Sequence, residues 1–231
     1  MASCERPIGD RMARILDSCR MEDSRMRLST GGSGLGLCIL LFHAAIATAV
    51  PPEEWSLDKQ KDGIDVYTRS VEGSGIREFK GVAEVEVKLE RILELLRDSN
   101  QFKSWFPNTR ESRLLARDGN VSYQYSVMGT PWPMKDRDNV LQSVTTRDES
   151  TGVVHIETTA VPNYYPVQKG RFRVQKAHGT WTLRPIGPDK THVTFTMHLE
   201  PGGGIPQWMI NLRIVATPFE ALTNLRMTVG K

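Results

Sequence analysis

The sequence predicts an α+β domain in which an antiparallel sheet packs on one long C-terminal helix. Three observations carry this expectation. Short alternations of apolar and polar residues recur between Ile64 and Leu199, separated by turn chemistry at Asp118-Gly119, Ser150-Thr151-Gly152 and Gly187-Pro188-Asp189. After Pro201-Gly202-Gly203-Gly204 the apolar period changes from 2 to 3.6. No repeat or low-complexity linker divides the chain from Glu53 onward, and strands in series closed by one helix form one layer packed on another.

The elements follow in order. Glu53 to Gln60 is expected as a short helix, and Asp62-Gly63 as a turn. Ile64–Arg69 and Gly81–Val87 alternate as strands. Leu89, Ile92, Leu93, Leu95 and Leu96 recur at helical spacing, giving a helix that ends near Asp98. A second short helix over Ser99–Phe106 carries Trp105. Strands are expected at Arg113–Ala116, at Val121–Val127 with Val121, Tyr123 and Tyr125 on one face, at Val140–Thr146, and at Val153–Val161. Another runs through Phe172–Val174 and bends on towards Leu183; Val193, Phe195, Met197 and Leu199 form the cleanest alternation of all. In the C-terminal helix, Ile205, Trp208, Met209, Leu212, Val215, Ala216 and Phe219 share one face. Pro218 inside it removes a backbone hydrogen bond and predicts a kink or a break.

Composition narrows the function classes. With 39% hydrophobic and 25% charged residues the chain is ordinary for a globular protein. A formal charge of +3, dispersed along the sequence, argues against a nucleic-acid partner. All three cysteines (Cys4, Cys19, Cys38) fall in the first 49 residues, so the body of the protein is cysteine-free and has neither a cysteine–zinc site nor a thiol nucleophile. Gly34–Val50 is apolar, follows Arg25 and Arg27, and ends in Ala47-Thr48-Ala49, the layout of a signal peptide cleaved after Ala49. The competing membrane anchor is disfavoured because the run is short of about 20 residues and is interrupted by His43. A lipoprotein is disfavoured because Leu37 precedes Cys38. The expected organisation is therefore an extension and signal peptide over residues 1–49 and one domain over 53–231, placed in the periplasm or secreted.

An ordered set of motifs resembles the START (steroidogenic acute regulatory protein-related lipid transfer) family over essentially Glu53 to the end. Trp55-Ser56-Leu57 and Asp62–Arg69 resemble its opening strand, and Leu95–Asp98 followed by Trp105 its helix pair. Pro133 followed by Arg137-Asp138 and Val140 resembles its omega loop and the next strand. Phe172-Arg173-Val174 with Gly179-Thr180-Trp181 and Pro185 resembles a later hairpin, and Pro201-Gly202-Gly203 with Ile205-Pro206 and Trp208 the start of its last helix. The resemblance implies a helix-grip fold of bacterial exported type: a curved sheet wrapped around the C-terminal helix, with a tunnel between them that holds one lipid without transforming it. The implied partner is a phospholipid, a sterol-like molecule or another acyl lipid, with transient membrane contact and no cofactor. Some sterol-binding relatives bury an acidic–basic pair at positions corresponding to Gln124 and Ser143; neutral groups there argue against sterol-specific recognition.

Residue by residue, the apolar face of the C-terminal helix reads as core on periodicity, and as core and tunnel wall together on the resemblance. Trp208, Met209, Leu212, Val215, Ala216 and Phe219 are thus candidate ligand contacts, joined from the strands by Tyr123, Gln124, Tyr125, Ser143, Phe195 and Met197. A second stripe, Ile210, Ile214, Ala221 and Leu225, is unexplained by one-sided packing, and Ile210, Ile214 and Leu225 are expected to meet a membrane, a loop or a second protomer. Trp132, between Pro131 and Pro133, is expected on a loop, either dipping into a lipid interface or folded over the core. Arg137 and Asp138 read as binding residues, or as residues of a structural salt bridge or of strand-entry hydrogen bonds. His155, His178, His192 and His198 lie in no metal-binding or nucleophile spacing, so no catalytic or metal site is expected. His178 is placed in a turn. The alternative to a carrier is a helix-grip enzyme of the aromatase/cyclase type acting on a polyketide-like substrate, which needs acid/base groups in the tunnel.

Overall fold

The computed structural model describes residues 54–230. Cleavage after Ala49, the three cysteines and the apolar N-terminal segment lie outside the described residues.

Ten strands form one sheet: β1 (Ser56–Lys61), β2 (Ile64–Val71), β3 (Ser74–Val85), β4 (Thr109–Asp118), β5 (Val121–Met128), β6 (Arg137–Arg147), β7 (Val154–Ala160), β8 (Phe172–Arg173), β9 (Lys176–Gly187) and β10 (Lys190–Glu200). Their order is β1-β2-β3-β10-β9-β7-β6-β5-β4, all antiparallel neighbours, while the short β8 lies parallel to β6. Three helices complete the domain: α1 (Leu89–Arg97), α2 (Phe102–Trp105) and α3 (Gln207–Val229). The sheet curves around α3. Among the described residues no helix is long and apolar enough to cross a membrane.

The expected elements are present with three corrections. Glu53–Gln60 is not a helix: Ser56–Lys61 is the edge strand β1, paired with β2 from Ser56–Thr68 to Lys61–Ile64. The Phe172 strand does not bend on to Leu183; it is two residues long, and β9 starts afresh at Lys176, which puts His178 on a strand. Pro218 does not break α3, which runs through it. The helix passes closest to the sheet there, because a Cβ on Gly81 of β3 would lie 3.1 Å from Pro218 Cβ and 2.8 Å from Leu222 Cδ1. Glycine at this point lets the helix settle against the sheet.

The main core lies between the sheet and the C-terminal half of α3. Pro218, Ala221, Leu222, Leu225 and Val229 are buried on the helix, against Ile64 and Val66 of β2 and Ala83 and Val85 of β3. Trp105 of α2, Trp181 of β9 and Phe195 of β10 form an aromatic cluster, the last two stacked at 3.9 Å. The second apolar stripe on α3 is thus the core face itself. The first stripe was placed about one residue, roughly 100° of helix rotation, away from where the helix packs.

A smaller core forms on the other face of the sheet, around Tyr125, Val127 and Val140 with Leu115, Val161 and Tyr165. The segment from Val161 to Gln175 covers it. Arg173 fastens this cover: its Nε and Nη2 donate to Asp138 Oδ1 and Oδ2 at 3.1 and 2.9 Å, and the guanidinium also donates to the carbonyls of Pro162, Tyr165 and Pro166. Asp138 thus belongs to a structural salt bridge, with Arg173, while alternation on β6 turns Arg137 to the opposite face, where it donates to loop carbonyls.

Candidate ligand cavity

Where α3 leaves the core towards its N-terminus, it no longer touches the sheet closely, and a cavity of about 460 Å³ opens between them. That is within the ~300–1,000 Å³ range of small-molecule sites. Its lining comes from β3, β5, β6, β7, β9 and β10, from the end of α1 and from α2, from the Gly129–Pro131 segment, and from Met209, Ile210, Leu212, Arg213, Ile214 and Thr217 of α3.

The two sides of the cavity differ in chemistry. On one side stand Ile76 and Phe79 of β3, Trp181 of β9, and Phe195, Met197 and Leu199 of β10. On the other, the period of 2 turns Ser122, Gln124 and Ser126 of β5 and Arg137, Asn139, Ser143 and Thr145 of β6 inward, with Thr158 of β7 beside them. Antiparallel register puts Ser126 opposite Asn139 and Ser122 opposite Ser143. Ser143 and Thr158 share a hydrogen bond of 3.0 Å, but the Asn139 amide reaches Ser126 only at 3.5 Å, and its Oδ1 has no partner. No carboxylate, histidine or lysine lines the cavity among the described residues.

Arg137 sits at the loop end. It donates to the carbonyls of Lys135, Gly202 and Gly203, so it ties the segment before β6 to the glycine run before α3. Gly202, Gly203 and Gly204 all have φ between 60° and 69°, backbone that favours glycine. A Cβ on Gly203 would come within 2.8 Å of Arg137 Nη2. Burial lowers the proton affinity of this guanidinium, with nearby Asp136 working in the opposite sense, and its Nε is buried without a partner.

Of the expected ligand contacts, Gln124, Ser143, Phe195, Met197, Met209 and Leu212 line the cavity. Trp208 does not; it is 63% exposed on the far side of α3. Val215 and Phe219 pack half-buried at the edge of the main core, with Lys59 Nζ 3.5 Å from the Phe219 ring, and Ala216 is half-buried outside the lining. Tyr123 and Tyr125 point to the opposite face of β5. There Tyr123 stacks on Tyr164 at 3.9 Å, and buried Tyr125 packs on Tyr165 and accepts a hydrogen bond from Arg171. Burial raises the Tyr125 phenol's pKa, and the Arg171 hydrogen bond opposes this.

The expected membrane contacts are corrected as well. Ile214 and Leu225 are buried, the first at the cavity and the second in the core, and Ile210 is half-buried in the lining. Trp132 is 92% exposed on its loop and does not fold over the core. Leu212 lines the cavity yet is 68% exposed, which places it at the rim. Sequence reasoning missed Ser126 and Asn139 as lining residues and left Arg137 between a binding and a structural role. Ser143 carried the signal, since the same strand phase runs through Leu141 and Asn139 to Arg137.

Comparison with known proteins agrees with this architecture. An uncharacterised protein of Pseudomonas aeruginosa is 37% identical over 179 residues, covering 78% of this chain and 88% of its own length. The rat phosphatidylcholine transfer protein is 24% identical over 168 residues, covering 71% of this chain and 78% of its own. The crystal structure of a STAR-related lipid transfer protein from Xanthomonas axonopodis superposes with a TM-score of 0.72 at 39% identity, covering 77% of this chain and 99% of that one. The START domain profile matches residues 48–231, and with a curved ten-stranded sheet closed around α3 within that span, the chain belongs to the START domain family.

Proposed function

We propose that the protein binds a single hydrophobic lipid in the cavity under α3 and carries or presents it between membranes, after export to the periplasm or beyond the cell. The observation that carries this reading is the cavity itself: a volume of about 460 Å³ with an aromatic and aliphatic side and a side of hydroxyls, amides and Arg137. Burying each methylene of a ligand there contributes about 0.8 kcal/mol, so a chain of modest length is held without ionic contact. The names of the similar Xanthomonas and rat proteins, both lipid transfer proteins, support the same reading. The absence of carboxylate, histidine and lysine from the lining, among the described residues, supports binding over acid/base catalysis. Native mass spectrometry of the purified protein, followed by organic extraction, is expected to show one lipid per chain. A protein that is empty and moves no lipid between vesicles overturns the proposal.

Membrane contact is proposed at the rim. Trp132, Trp208 and Leu212 are large apolar side chains left in water, and two of them belong to α3, which forms one wall of the cavity. Indoles favour the membrane–water interface. The double substitution Trp132→Ala, Trp208→Ala is expected to lower vesicle binding in a flotation assay about tenfold or more, at about 1.4 kcal/mol per tenfold, with the melting temperature unchanged because neither side chain is buried. Unaltered flotation argues that the protein meets membranes elsewhere.

A further inference from the structure

Nine large hydrophobic side chains stand exposed among the described residues, and five of them gather at the end of the domain where the Trp132 loop meets the start of α3. Trp132, Trp208 and Leu212 are three. The other two, Val167 and Phe172, belong to the cover over the outer face and are 71% and 43% exposed. Val167 precedes the Gln168–Arg171 turn that leads into Phe172, and Phe172 brings the cover to this end. Its amide donates to the Asp136 carbonyl at 2.9 Å. Its ring packs on the glycine run before α3, where a Cβ on Gly203 would lie 2.9 Å from it. Residues 129–137, 162–172 and 201–213 therefore adjoin one another as three parts of one rim. Val167 lies outside the small core that the cover protects, so packing does not account for an apolar residue there.

The charge of this rim has a sign. Its three segments hold five cations and one carboxylate, Asp136. Ion pairs join Asp136 to Arg110, Arg171 to Glu111 and Arg213 to Glu220, and Arg137 is buried on loop carbonyls. Lys135 and Lys169 remain, both exposed and, among the described residues, in no ion pair. We infer that the cover is a third membrane-contacting segment and that the rim docks on a bilayer bearing anionic lipid. Val167 enters between the head groups, while Lys135 and Lys169 lie against the phosphates. This rests on the reading of membrane contact at Trp132 and Trp208 and adds to it a segment and a charge preference. Long lysine stems reach past an apolar contact and keep the ammonium at the polar surface. Basic residues beside apolar ones strengthen attachment to anionic membranes. A second copy of the chain fits this face poorly, because a two-fold contact sets a positive face against itself.

Flotation of the full-length protein on two kinds of vesicle tests this: phosphatidylcholine alone, and equal parts phosphatidylcholine and phosphatidylglycerol. Each lysine beside an anionic surface contributes about fivefold in binding, so the parent is expected to bind the mixed vesicles about twentyfold more tightly. Added salt is expected to erase the difference. Lys135→Gln with Lys169→Gln is expected to lose that preference and keep the parental binding to phosphatidylcholine. Lys61→Gln with Lys88→Gln, an equal loss of charge at the opposite end of the sheet, is expected to keep the preference. Val167→Asp is expected to weaken binding to both vesicles about tenfold, with the melting temperature unchanged because the side chain is exposed. Three results each overturn the inference and leave membrane contact at Trp132 and Trp208 standing. They are equal binding of the parent to both vesicles, a preference that survives loss of Lys135 and Lys169 or falls equally without Lys61 and Lys88, and parental flotation of Val167→Asp. If the parent floats with neither vesicle, the inference and that membrane contact fall together.

Discussion

Replacing Arg173 by Met is expected to cost about 3–5 kcal/mol of folding stability, the usual penalty for stripping one partner from a buried ion pair. Both side chains are almost wholly buried, and the two form parallel hydrogen bonds at 3.1 and 2.9 Å. Without the guanidinium, the Asp138 carboxylate is left desolvated and unpaired, and the carbonyls of Pro162, Tyr165 and Pro166 lose their donor. Arg173→Lys is not conservative here, because an ammonium cannot reproduce the planar fork. Against a total stability of about 5–15 kcal/mol, the single change removes much of the margin; for a domain of this size it lowers the melting temperature by roughly 6–20 °C. The diagnostic comparison is Arg173→Met with Asp138→Leu, which removes both charges and is expected to recover a large share of the loss. Urea melts of the two variants check this. Equal losses in the single and double variants would show that the cost lies in the carbonyl contacts alone, not in an orphaned charge.

This cover over the outer face explains the least legible part of the sequence. On β5, Tyr123 and Tyr125 are more apolar than Ser122, Gln124 and Ser126, so the strand reads as if the tyrosines face the interior. In the folded chain the Val161–Gln175 cover supplies a second apolar environment outside, where the tyrosines meet Tyr164 and Tyr165, and the interior side is a cavity that accepts polar residues. The rule that apolar faces point inward holds; the sheet has two insides. A related ambiguity misplaced the face of α3. Its N-terminal half is apolar on nearly every side, because one side closes a cavity with Ile210 and Ile214 while another exposes Trp208 and Leu212. Periodicity registers both stripes and cannot say which is wet. The C-terminal half offers Ala221, Leu222, Leu225 and Val229 as one clean stripe, and all four are buried.

The strands were read more readily wherever one face is buried against α3. Ile64 and Val66, Ala83 and Val85, and Val193 and Phe195 alternate with polar neighbours and are all in the main core. Ser56–Lys61 was misread for the opposite reason. As an edge strand it contributes only Leu57 as a large apolar residue, and that side chain is exposed. Its strand character comes from backbone pairing with β2, which leaves no mark in a hydrophobic pattern.

Filling part of the cavity should weaken lipid binding on the order of a hundredfold while leaving the fold intact. Leu141 and Met197 both project into the open volume, so Leu141→Trp with Met197→Trp adds bulk where no protein atoms are displaced. Overpacking a filled core costs about 1–3 kcal/mol, and that penalty is avoided here because the new indoles enter space the ligand occupies. Together they take up the room of about four methylenes, which at about 0.8 kcal/mol each removes roughly 3 kcal/mol of ligand stabilisation and weakens binding on the order of a hundredfold. Extraction and mass spectrometry of the purified double variant are expected to find much less lipid per chain than in the parent, with a melting temperature equal to that of the lipid-free parent. The fill separates the cavity from every other apolar surface of the molecule, because Trp132 and Trp208 remain exposed and untouched. A double variant that retains lipid at the parental ratio would place the ligand on the outside of the domain and remove the physical basis for a carrier that shields its cargo from water.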